Sequence, residues 1–87
     1  MFVVYILKSE RDGCHYIGYT QNIQRRLDEH NTGKSVYTKR KMPWILVYCE
    51  THQTKSEAIK REKFLKAQRN VEFYRKLIEN WIGSSVG

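Results

Sequence analysis

Five side chains in this sequence are of the types that hydrolyse phosphodiesters: Tyr5, Tyr16, Arg26, His30 and Glu62. A carboxylate suits a hard divalent cation, a guanidinium fork fits phosphate oxygens, an imidazole titrates near neutrality, and a phenol can give or take a proton. They stand in a chain of 87 residues with 16 Lys and Arg against 9 Asp and Glu, a net charge of +7. That excess favours a polyanionic partner, nucleic acid first and an anionic membrane surface second.

Glu62 is the residue whose position asks for an explanation. In the segment "SEAIKREKFLK" the residues Ala58, Ile59 and Leu65 define one apolar helical face, and Glu62 projects between them. An ionised carboxylate there must find a cation, accept hydrogen bonds or be protonated. Arg26 or a lysine is one solution, a structural salt bridge; a metal ion at the edge of the core is the other. The remaining residues have plain readings as well: Tyr5 and Tyr16 as sheet aromatics, Arg26 and His30 as an i,i+4 pair on a helix surface.

The elements that must position these groups follow from the pattern of apolar residues and turn signals. Phe2 to Leu7 reads as a strand buried on both faces, Asp12-Gly13 as a hairpin turn, and Cys14 to Tyr19 as a second strand. With an even-numbered loop and no bulge, Tyr5 and Tyr16 fall on one face of this pair. A helix is predicted from Ile23 to Asn31, with Asn22 as N-cap, Gly33 as stop, and Ile23 and Leu27 as its apolar stripe; Arg26 and His30 project from one flank. Residues 33–43 form a basic loop before a third strand, Trp44 to Glu50, whose "WILVY" core reads as fully buried. Thr54 to Glu57 is a capping-box pattern opening a helix to about Ala67, and Asn70 caps a last helix to Ile82 with Tyr74, Leu77, Ile78 and Trp81 at core spacing. The expected fold is α+β, in the order β-β-α-β-α-α, with one domain over residues 1–82 and a frayed tail at 83–87. The apolar run at the start is too short for a signal sequence or a membrane span, so a cytoplasmic protein is expected. Cys14 and Cys49 fit neither a disulfide framework nor a zinc site and read as reduced thiols.

The ordered set Val3-Val4-Tyr5, Tyr16-Ile17-Gly18, Arg26, His30 and Glu62 resembles the GIY-YIG nuclease superfamily, and in particular its small stand-alone bacterial members; the likeness covers about residues 2–68. The resemblance implies a three-stranded sheet flanked by helices, a single weakly held Mg²⁺ or Mn²⁺, and cleavage of the DNA backbone. It makes Tyr5 and Tyr16 active-site tyrosines, Gly18 a glycine allowing close approach, Arg26 the phosphate-binding arginine, and Glu62 the metal ligand. His30 matches a position held by His or Tyr. Two departures stand out: Val3-Val4-Tyr5 replaces Gly-Ile-Tyr, and Tyr19 occupies a position that some excision-repair members fill with lysine. Lys34 or Lys39 is then the candidate source of that charge.

On this reading Glu62 holds the metal, Arg26 grips the non-bridging phosphate oxygens, and Tyr16 or His30 takes the proton of the attacking water. A phenol in that role needs a nearby cation, because phenols ordinarily titrate near 10. Gly18, Tyr19, Lys34, Lys39, Arg40 and Lys41 are the expected substrate-binding positions, the last three as a phosphate funnel of little sequence specificity. Tyr37 is read as stacking on bases or packing, Trp44 as packing. The expected partner is DNA, branched and damaged forms included, with RNA left open and a protein partner as one source of specificity. The competing readings are a nucleic-acid-binding module of the same fold without turnover, and an adaptor that docks through Phe73, Tyr74 and Trp81 of the last helix.

Overall fold

Asp12 and Gly13 reverse the chain as the sequence predicts. Gly13 takes a φ of 79°, a left-handed conformation that glycine adopts without strain, and the Asp12 carboxylate accepts from the Cys14 amide at 3.0 Å. The computed structural model describes residues 1–34 and 39–86, with side chains described as far as Trp81; Tyr37 lies outside the described residues. On either side of the turn run β1 (Phe2–Ser9) and β2 (His15–Thr20), followed by α1 (Ile23–Asn31), a single 3-10 turn (Lys39–Lys41), β3 (Trp44–His52), α2 (Lys55–Gln68) and α3 (Val71–Val86). The order is the expected β-β-α-β-α-α, in an α+β fold. α3 continues past Ile82, where the sequence pattern would end it.

The three strands form one antiparallel sheet in the order β2-β1-β3, so the first strand is the central one. Val4, Tyr5, Ile6 and Leu7 are accordingly buried on both faces. Val4 and Ile6 point into a core shared with Ile17, Ala58, Leu65 and Tyr74; Tyr5 and Leu7 point to the opposite side, where Trp44, Ile23 and Leu27 pack. α2 and α3 thus cover one face and α1 the other.

β3 departs from expectation. It is an edge strand, and of its nine residues only Trp44 is buried. A continuous apolar run does not distinguish a strand between two neighbours from one at the rim. A β-bulge at Val47 also shifts its register, with Ile6 opposite Tyr48 and Leu7 opposite Leu46. The extra residue lets Cys49, Leu46 and Trp44 share the α1 face.

The helix ends are fixed by the residues the sequence marks. Asn22 accepts from the Arg25 amide at 3.0 Å and Thr54 from the Glu57 amide at 3.2 Å, caps of the kind that contribute about 1 kcal/mol each. Asn70 accepts from the Glu72 amide at 2.9 Å. At its other end α1 is clasped to β3: the Asn31 side-chain amide donates to the Trp44 carbonyl at 2.9 Å, and the Trp44 amide donates back at 2.6 Å. On the far side of the sheet Arg61 Nε donates to both carboxylate oxygens of Glu50, at 3.2 and 3.1 Å, which ties the middle of α2 to β3. Among the described residues no helix is long and apolar enough to cross a membrane.

Candidate active site

Register brings the two tyrosines together. Leu7 lies opposite Tyr16 and Tyr5 opposite Gly18, so Tyr5 and Tyr16 share the α1 face, their ring centroids 6.4 Å apart. Gly18 makes this possible in a way the sequence does not suggest. A Cβ at this position would lie 2.7 Å from the Tyr5 hydroxyl, 3.0 Å from its Cζ and 3.4 Å from Tyr16 Cε1. The space that glycine frees is taken by the phenol of Tyr5, not left for substrate. Since Tyr5 is 1% exposed and has no open space to move into, Gly18→Ala is expected to force a strained shift of the ring or the strand, lowering stability by about 1–3 kcal/mol and activity along with it. Urea melts beside cleavage rates would measure both, and an alanine variant as stable as the parent would contradict this account of the glycine.

α1 brings the next two groups. His30 is completely buried, beneath the tyrosines: its Nε2 lies 3.3 Å from the Tyr5 hydroxyl and its ring 4.9 Å from that of Tyr16, edge to face. Burial pushes the His30 pKa below its ordinary value; the Arg26 charge adds to this and Glu29 opposes it. The imidazole is therefore neutral at physiological pH. Tyr5 is pushed up to about 12, first by burial and further by the nearby Tyr16 and Glu62 charges, while a hydrogen bond from Arg26 works against the rise. The direction of the Tyr5–His30 hydrogen bond is set by the imidazole tautomer. With its hydroxyl held protonated, Tyr5 is a poor base. The Arg26 guanidinium, 38% exposed, also donates to Glu29 at 3.1 Å. Its hydrogen bond to Tyr5 holds it still more firmly protonated than an ordinary arginine.

Glu62 comes from α2. Its neighbours on the apolar stripe, Ala58 and Leu65, are fully buried, while its own side chain remains 16% exposed and pairs with Lys66 at 3.5 Å, one turn along the helix. The partner is thus a lysine; among the described residues Arg26 pairs with Glu29 instead. The Glu62 charge bears on Tyr5, as the smallest of the influences on that phenol. No cluster of three His, Cys, Asp or Glu that could enclose a metal occurs among the described residues. A lone, largely covered carboxylate fits an ion such as Mg²⁺, which keeps most of its water and is commonly bound through one or two carboxylates.

The expected substrate-binding residues distribute differently. Tyr19 belongs to the opposite face, partly buried against the α2–α3 core, which separates it from Tyr16. Lys39, Arg40 and Lys41 form the 3-10 turn and gather at the β1–β2 hairpin, where Lys41 pairs with Asp12 at 3.4 Å and donates to Cys14 Sγ at 3.2 Å, and the Arg40 carbonyl accepts from Arg11 at 3.2 Å. Lys41 is therefore partly neutralised, whereas Lys34, Lys39 and Arg40 are exposed. Trp44 packs, 3% exposed, against Tyr16. Lys66 and Glu29, the partners of Glu62 and Arg26, do not stand out in the sequence; their i,i+4 and i,i+3 spacings were the available signal.

The GIY-YIG catalytic domain model matches residues 1–75. A UPF0213 protein of Streptococcus pneumoniae is 40% identical over 78 residues, covering 88% of this chain and 78% of its own length. A UPF0213 protein of Staphylococcus epidermidis is 50% identical over 64 residues, covering 72% and 77%. The solution NMR structure of a UPF0213 protein from Bacillus halodurans aligns with a TM-score of 0.56 at 33% identity, over 91% of this chain and 84% of that one.

Proposed function

The chain belongs to the GIY-YIG catalytic domain family, whose chemistry is that of nucleases, and on that premise we propose that it is a metal-dependent endonuclease that hydrolyses DNA phosphodiester bonds at the Tyr5–Tyr16–Arg26–His30–Glu62 cluster. The observation that supports this reading is convergence: three separate elements bring Tyr5, Tyr16, Arg26 and His30 together, and Glu62 on α2 is near enough for its charge to bear on Tyr5. Glu62 would hold the Mg²⁺ or Mn²⁺, with Lys66 giving way; when bound, the ion supplies positive charge against the oxyanion that develops at the leaving group.

The remaining work falls to the chain's own side chains. Arg26, partly exposed and rigidly oriented by Tyr5 and Glu29, grips the non-bridging oxygens of the scissile phosphate and stabilises their growing charge. Tyr16, half-buried and within the field of Arg26, takes the proton of the attacking water as its phenolate, its own proton having first passed to solvent. His30, fully buried, reaches no solvent water; it shares a hydrogen bond with the Tyr5 hydroxyl and packs against both rings from below. The burial of His30 supports the tyrosine over the histidine as the base. The test is nicking of supercoiled and branched DNA with and without Mg²⁺ or Mn²⁺: metal-dependent nicks support the reading, and their absence on every substrate shape refutes it.

One observation favours a second reading, a binding module without turnover: Glu62 already has a cation in Lys66. Such a module would bind DNA and never cut it. Under either reading the affinity falls steeply with salt. Replacing Lys39, Arg40 and Lys41 together with Gln should flatten that slope by about one unit for each phosphate no longer neutralised, with Lys41 contributing least because Asp12 shares its charge. An unchanged slope would locate the DNA-binding surface elsewhere.

A further inference from the structure

Beside β2, between the end of α2 and the start of α3, lies an open groove of about 620 Å³ lined by His15, Tyr16, Ile17, Lys66, Arg69 and Tyr74. Its volume falls within the range of sites that take small ligands. Two of its walls belong also to the candidate active site: Tyr16 packs on His30, and Lys66 pairs with Glu62. We propose that this groove binds the nucleotide adjoining the scissile phosphate on the strand being cut, its phosphate on Arg69 and its base against the half-buried His15 ring, which Tyr74 backs from the core. The proposal rests on the nuclease reading above.

Arg69 is the strongest indication. It stands at the C-cap of α2 with φ 44° and ψ 37°, the left-handed conformation for which glycine is the unstrained residue and a longer side chain carries a penalty. Non-glycine residues held there concentrate at functional sites. Its guanidinium makes no ion pair or hydrogen bond among the described residues, in contrast to Arg26, Arg61 and Arg75. An exposed arginine that lines a groove at a helix end, with no protein partner among the described residues, is available to an anionic ligand. The platform opposite is rigid. Tyr74 is 7% exposed, its hydroxyl donates to the Leu65 carbonyl at 2.6 Å, and the His15 ring lies 5.4 Å away. Aromatic surfaces of this kind accept any base by stacking, while cations hold the backbone.

The strain makes Arg69→Gly an informative variant, because it removes the charge and relaxes the backbone together. The measurement is fluorescence anisotropy of labelled oligonucleotides without divalent ion, across a salt titration and a length series, beside thermal melts. Arg69→Gly is expected to melt no earlier than the parent, to bind about tenfold more weakly at low salt, and to lower the salt slope by about one. Arg69→Lys should recover most of the affinity. Lys60→Gln, which removes one charge from an exposed position on the same helix, should cost clearly less. The parent should also lose affinity in one step as the oligonucleotide becomes too short to fill the groove, and Arg69→Gly should lack that step. Parental affinity in Arg69→Gly, or an equal loss in Lys60→Gln, would overturn the proposal. Since binding is read without cleavage, a parent that shows the Arg69 effect on binding but never cuts with Mn²⁺ refutes the nuclease reading and the placement beside a scissile phosphate, leaving the groove as a nucleotide site; a parent that does not bind DNA refutes both.

Discussion

Glu62→Gln is expected to abolish DNA cleavage while leaving the melting temperature of the metal-free protein unchanged or higher. The two readings of a carboxylate on an apolar stripe diverge at this substitution. A deeply buried structural ion pair that loses one partner strands the other charge and costs several kcal/mol. Lys66, however, is 54% exposed, and exposed i,i+4 pairs contribute only about 0.3–0.5 kcal/mol, so its ammonium simply returns to water. Against that small loss stands relief of the partial desolvation of Glu62, 16% exposed and flanked by the fully buried Ala58 and Leu65. Stability is thus indifferent to the charge, whereas a nuclease that holds its metal through one carboxylate has no substitute for it. The measurement is paired: melts of parent and variant without metal, and cleavage by both at saturating Mn²⁺. A variant that melts much earlier, or that still cuts, would show Glu62 to be a structural residue.

Arg26→Ala should reduce turnover roughly a hundred- to thousand-fold, the ~2.7–4 kcal/mol attributed to a single preorganised donor at a developing negative charge. The fold should survive, because the side chain is 38% exposed and its partner Glu29 is solvated at 25%. Arg26→Lys would keep the charge but lose the planar fork, and should recover only part of the rate. Single-turnover cleavage beside circular dichroism separates the two effects; full activity in Arg26→Ala would remove this residue from the site.

Much of the site is legible in the sequence because its rules are local or depend on parity. Asn22, Thr54 and Asn70 cap helices where their side chains dictate, and the Asp12-Gly13 turn fixes a register that puts Tyr5 and Tyr16 on one face. The position of Glu62 among Ala58, Ile59 and Leu65 is equally plain from helical periodicity. What escapes is whatever depends on a neighbour far along the chain. The "WILVY" run cannot show that β3 has a partner on one side only, nor that a bulge at Val47 turns Trp44 towards Tyr16. Gly18 reads as a site for close substrate approach until the Tyr5 ring is seen above it. His30 reads as a surface neighbour of Arg26; its complete burial follows from Tyr5 and Tyr16 closing over it, and neither lies on its helix. Arg69 carries no sequence signal at all, since a left-handed backbone at an arginine is a property of the join between α2 and α3.

The clasp between Asn31 and Trp44 has a bearing on how the site holds together in time. α1 spans nine residues, well short of the length at which a helix persists in water by itself, and it lends the cluster both Arg26 and His30. Its C-terminal end is fastened to the first residue of β3 through two hydrogen bonds, and β3 pairs with the strand that carries Tyr5. Arginine, histidine and tyrosine therefore belong to one cooperative opening unit: when the edge strand frays, the helix is released and the guanidinium and imidazole leave the phenols at the same moment.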